Sequence, residues 1–98
     1  MSVLVTIRVP GDTDQFQRYL EEEADKMERI SEDSRRGGCL RHKFGIGNGF
    51  LLVIDEWESP EQFQQFFSDP QIAEVLQNSG AQGEPEITIV EALDATAF

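Results

Sequence analysis

The dipeptide Asn48-Gly49 constrains this chain more than any other feature. It separates two runs suited to strands, Cys39 to Ile46 and Phe50 to Trp57, and Asn-Gly tolerates the positive φ angles of a tight type I′ hairpin turn. A two-residue loop sets Gly47 opposite Phe50, Phe44 opposite Val53, His42 opposite Asp55, Arg41 opposite Glu56 and Leu40 opposite Trp57. One face then carries Leu40, His42, Phe44, Ile46, Leu51, Val53, Asp55 and Trp57. The other carries Cys39, Arg41, Lys43, Gly45, Phe50, Leu52, Ile54 and Glu56, and its second strand is too apolar to face only water. Such a strand needs cover on both sides, and a short chain supplies one layer.

The flanking segments read in the same way. Ser2 to Val9 alternates as a strand, with Val3, Val5, Ile7 and Val9 on one face, and Pro10-Gly11 ends it. Asp12 or Thr13 caps a long helix whose stripe is Phe16, Tyr19, Leu20, Glu23, Ala24, Met27 and Ile30. Arg35 and Arg36 suit its C-terminal dipole, and Gly37-Gly38 stops it. Ser59-Pro60-Glu61-Gln62 starts a helix with Phe63, Phe66 and Phe67 inward, and Ser68-Asp69-Pro70 starts another running to about Gln77. Glu86 to Leu93 is the last strand and Asp94 to Phe98 a tail. The order β-α-β-β-α-β, its second helix in two pieces, predicts one α+β domain over residues 1–98. Its form is a ferredoxin-like antiparallel four-stranded sheet with the helices on one face. Hiding the bare face against a second copy predicts a homodimer that closes a barrel.

Composition excludes more than it identifies. Eight Lys plus Arg against nineteen Asp plus Glu leave a net charge of −11, which repels phosphate backbones and anionic lipid surfaces. Nucleic acid and membrane are therefore not expected partners. One Cys and one His give no metal-ligand spacing and no intramolecular disulfide, so no metal is expected and a reducing cytoplasm is favoured. The segment MSVLVTIRVPGD has no basic leader or signal-length apolar core, and no run reaches the roughly 20 residues of a membrane span.

The sharpest chemical pairing is His42 opposite Asp55. A carboxylate there can fix the imidazole tautomer and give a base able to take a proton from a phenol or hydroquinone before the ring meets oxygen. The same pair also reads as a cross-strand polar contact worth about 0.5 kcal/mol. Trp57 either closes the core beneath a helix or packs on a ligand ring. Phe44, Val53, Phe63, Phe66 and Phe67 are core positions that can also line a ligand cavity. Arg8, Arg41 and Glu56 either line the dimer barrel or, for the last two, form an ion pair. Cys39 reads as a small buried residue. Gly45, Gly47 and Gly49 surround a hairpin and make no phosphate loop.

The junction Ile54-Asp55-Glu56-Trp57-Glu58-Ser59-Pro60-Glu61-Gln62-Phe63 resembles the strand-to-helix segment of the antibiotic biosynthesis monooxygenase-like family, and Gly38-Cys39-Leu40 is similar to its second-strand opening. The resemblance implies a dimeric α+β barrel. It also implies oxidation of a small aromatic compound without metal, flavin or other cofactor, with His42 as base, Asp55 as its orienter and Trp57 on the ring. An alternative is a non-catalytic ligand-binding or dimerisation module of the same fold. Haem degradation ranks third: of that branch's Trp, first-strand Asn and helix His, the chain matches only Trp57, and Gln64-Gln65-Phe66-Phe67 stands where the His would lie.

Overall fold

The computed structural model describes residues 1–93, so the tail expected from Asp94 to Phe98 lies outside the described residues. In chain order the elements are β1 (Val3–Pro10), α1 (Thr13–Glu22), α2 (Ala24–Arg36), β2 (Cys39–Gly47), β3 (Phe50–Trp57), α3 (Pro60–Phe67), α4 (Pro70–Asn78) and β4 (Glu86–Glu91). The strands form one sheet in the order β2-β3-β1-β4, every neighbour antiparallel, which is the ferredoxin-like arrangement. Alternation along β1 buries Val3, Val5, Ile7 and Val9 and leaves Leu4 and Arg8 exposed, so the helices cover one face only. Beneath them Phe16, Trp57 and Phe63 are almost wholly buried. Each contributes about 1.5–3 kcal/mol or more through the apolar area it removes from water. Among the described residues, no helix is long and apolar enough to cross a membrane.

The helix starts follow local chemistry. The Asp12 carboxylate accepts the Asp14 and Gln15 N–H groups, Ser59 Oγ accepts the Gln62 N–H at 3.2 Å, and Asp69 accepts the Gln71 N–H at 2.9 Å. Each fills an orphan donor of a first turn, and Pro60 and Pro70 follow their caps where no N–H is needed.

Three expectations need correction. The single long first helix is broken at Glu23 (φ −106°, ψ 31°), and Glu23 and Ala24, assigned to its buried stripe, are exposed. No Gly or Pro marks the break. Phe16 on α1 and Ile30 and Ser34 on α2 are buried on either side of it. The hairpin register holds from Arg41↔Glu56 through Gly47↔Phe50, but a bulge sets Cys39, and not Leu40, opposite Trp57. Cys39 is therefore buried on the helix side, while Leu40 is exposed. Finally, Gly49 has φ +82° while, among the described residues, no non-glycine residue has positive φ, a type II pattern and not type I′. The Gly49 carbonyl accepts the Gly11 N–H at 3.0 Å, a contact from the end of β1 that two-residue turn rules do not include.

Candidate functional site

Sheet and helices leave a cavity of about 110 Å³ between them. Its floor comes from β1 and β3 (Ile7, Val9, Leu51, Val53), its roof from all four helices, and its wall is almost entirely apolar. The break at Glu23 brings Phe16 and Tyr19 of α1 and Met27 and Ile30 of α2 to the same space. Phe44, Val53, Phe63, Phe66 and Phe67 all line it, and the three helix phenylalanines do not fill it. Phe63 stacks on Phe67 at 5.4 Å between centroids.

One charged group reaches this apolar wall. Asp55 points to the helix side because it alternates with Val53 and Trp57 along β3, and it is only 6% exposed. Its Oδ1 lies 3.1 Å from His42 Nδ1, and its Oδ2 accepts the Trp57 Nε1–H at 3.1 Å. A buried carboxylate needs such partners to offset its desolvation. A carboxylate only accepts, so the neutral His42 ring carries its proton on Nδ1 and leaves Nε2 as a lone-pair acceptor. Nε2 has no hydrogen-bond partner among the described residues. Because β2 is an edge strand, the His42 side chain keeps 31% exposure and stands at the cavity mouth, edge-on to Phe44 at 4.6 Å.

Trp57 is wholly buried and is not part of the cavity wall. It backs two residues of that wall, Phe63 and Phe66, at 5.8 and 5.2 Å between centroids, and makes its one polar contact with the site through Asp55. Cys39 is buried beside Asp55; burial first, then the Asp55 charge, pushes its thiol up to about 11. Its Sγ lies 3.2 Å from the Arg41 carbonyl, so at neutral pH it is a packed thiol and no nucleophile. Arg41 and Glu56 form a 3.0 Å ion pair, and Arg8 stacks 3.9 Å over the Phe50 ring. All three belong to the open face and not to the cavity. Among the described residues, no group of three or more His, Cys, Asp or Glu is disposed to hold a metal ion.

Sequence reasoning passed over one polar group. Tyr19 lines the cavity, and its hydroxyl is buried without a hydrogen-bond partner among the described residues. The signal was a lone tyrosine among the Phe, Leu, Met and Ile of the helix stripe. The buried cavity serines differ: Ser34 Oγ donates to the Ser31 carbonyl at 2.7 Å and Ser79 Oγ to the Leu76 carbonyl at 3.4 Å.

Neither a protein-family model nor a curated protein sequence matches the chain. Solved structures do. A monooxygenase from the gene ActVA-Orf6 of Streptomyces coelicolor, in complex with the ligand Nanaomycin D, superposes with a TM-score of 0.69 at 18% identity, over 96% of this chain and 89% of that one. SnoaB, a cofactor-independent oxygenase from Streptomyces nogalater, gives 0.66 at 16% identity over 99% and 98%. Another structure, an antibiotic biosynthesis monooxygenase, gives 0.66 at 12% identity over 93% and 98%. Matched over nearly their whole length at low identity, these proteins and this chain share one architecture: the chain has the fold of the antibiotic biosynthesis monooxygenases.

Proposed function

We propose that the chain is a cofactor-independent monooxygenase for a small hydroxylated aromatic compound, acting as a homodimer in a reducing, cytoplasmic setting. The observation that carries this reading is the Asp55-held His42 at the mouth of an apolar cavity. An aromatic ring enters the cavity for the apolar area it buries, and its hydroxyl meets His42 Nε2. Nε2 takes the phenolic proton, and Asp55 stabilises the imidazolium through Nδ1–H. The phenolate is electron-rich in surroundings poor in water, and it donates electrons from a ring carbon to O₂. A C–O bond forms there, and the adduct loses water. One oxygen atom is then in the product and one in water, and the substrate has supplied all the electrons. In this scheme Trp57 is a positioning residue acting through Asp55, and Phe44, Val53, Phe63, Phe66 and Phe67 bind the ring.

Size narrows the substrate. A cavity of about 150 Å³ in another protein accepts benzene, so about 110 Å³ here takes at most a single ring, for which lining side chains must give, and fused rings need the helices to part. A haem is far too large, which weighs against haem degradation. The same small volume favours a second reading, a module that binds a ligand without turnover. The dimer is supported by the open sheet face, where Leu4, Ile54 and Val90 lie 41%, 49% and 50% exposed on adjacent strands. Stacking two such faces supplies the cover that β3 lacks.

Oxygen uptake with monocyclic hydroquinones tests the reading. Uptake at stoichiometry one O₂ per substrate, lost in His42→Ala, is expected. Binding without uptake would favour the non-catalytic module, and uptake unchanged in His42→Ala would remove His42 from the mechanism.

A further inference from the structure

We propose that the Tyr19 hydroxyl is a second polar anchor in the cavity, selecting ligands that carry an oxygen at the end remote from His42. The proposal rests on the cavity being an aromatic site. Tyr19 lines it, and its buried hydroxyl has no partner among the described residues. Buried hydroxyls are normally paired, because an unmade bond leaves the desolvation penalty uncompensated. The nearest charged group, Lys26, can donate to the Tyr19 oxygen but leaves its proton without an acceptor. Lys26 is held on Glu74 at 2.9 Å, an ion pair that joins α2 to α4, and that bond, together with smaller effects of Tyr19, holds its ammonium more firmly protonated than usual. An ammonium has no lone pair, so it cannot accept the Tyr19 proton. The O–H therefore remains a donor for whatever fills the cavity.

The two anchors stand far apart. Tyr19 sits by Lys26 at the start of α2, whereas Ser34, near the end of α2, sits by Cys39 and Asp55. From Lys26 to Ser34 the helix rises about 12 Å at 1.5 Å per residue. A ligand satisfying both needs a ring with polar groups at opposite ends: one O–H to give its proton to His42 Nε2, and one oxygen to accept from Tyr19. A para-dihydroxy ring has this form. A simple phenol satisfies the His42 end alone.

Titration of phenol and of benzene-1,4-diol into wild type and Tyr19→Phe, followed by NMR, tests this. The diol should bind wild type more tightly than phenol does. Tyr19→Phe should weaken the diol about 3- to 10-fold, the loss of one neutral hydrogen bond, and leave phenol unchanged. The free variant should melt no lower than wild type, since it loses only an unpaired hydroxyl. A diol affinity that Tyr19→Phe does not alter overturns the anchor and leaves the aromatic site standing. A melting temperature lowered by several degrees shows the hydroxyl paired in the free protein and also overturns it. Failure of both compounds to bind wild type overturns the aromatic site, and Tyr19's role with it.

Discussion

Replacing Asp55 separates its structural work from its effect on His42. Asp55→Ala strands the buried Trp57 Nε1–H, which lies in a side chain of zero exposure. Leaving such a donor unpaired costs about 1–3 kcal/mol. In a domain of this size each kcal/mol moves Tm by about 4–8 °C, so the midpoint of that range predicts a fall of roughly 8–16 °C. Asp55→Asn keeps the shape and behaves differently. Trp57 Nε1 is only a donor and claims the amide oxygen, turning the NH₂ toward His42 Nδ1. Nδ1 must then accept, so the imidazole proton moves to Nε2 and the lone pair at the cavity mouth is lost. Stability should change by no more than about 1 kcal/mol, while turnover of a hydroquinone substrate falls about 10²–10⁴-fold, the usual worth of a general base. His42 is the only histidine, so ¹⁵N NMR reads its tautomer without assignment. Retention of the Nδ1–H form in Asp55→Asn, or an unchanged Tm in Asp55→Ala, would refute the reasoning.

Two further predictions follow from other parts of the fold. The Cys39 thiol, pushed from 9.0 up to about 11, holds about a hundredfold less thiolate at pH 8 than an ordinary cysteine. It should react correspondingly slowly with iodoacetamide until the chain unfolds. The folded state prefers the protonated thiol, so this stability is fully present below pH 9 and is lost as pH rises toward 11, on the order of 2 kcal/mol. Cys39→Ala should flatten that alkaline limb in urea melts, and an identical limb would contradict the assignment. On the open face, Ile54→Lys puts a charge where a partner sheet would stack; sedimentation should show a wild-type dimer and a monomeric variant, and a wild-type monomer at micromolar concentration would sink the dimer.

Much of the fold was legible because its signals are local. Asn48-Gly49 fixed the hairpin and its register as far as Arg41, and with it the pairing of His42 with Asp55, because a two-residue loop leaves one antiparallel alignment. Ser59-Pro60 and Asp69-Pro70 marked the helix starts through cap chemistry that acts within one turn. Alternation along β1 named its buried face. The shared face of Phe44, Val53, Asp55 and Trp57 followed from the period of two.

What escaped depends on distant groups. The bulge that buries Cys39 and exposes Leu40, and the type II form of the hairpin turn, occur at points where the hairpin meets the rest of the chain. The bend at Glu23 has no breaker residue, and it divides between α1 and α2 the part of the cavity's roof expected from one helix. Trp57 could have faced core or ligand, and its burial beneath Phe63 and Phe66 decided that it stands behind the cavity wall and bonds to the site through Asp55. The unpaired Tyr19 hydroxyl was beyond sequence reasoning, because a missing partner is a property of everything packed around an atom. Sequence by itself determined the strands and their order, the helix starts and the His42–Asp55 pairing, all set by contacts within a turn, a strand pair or a helix end. Only the tertiary structure decided which side chains border empty space, because a cavity is what remains after every element has packed.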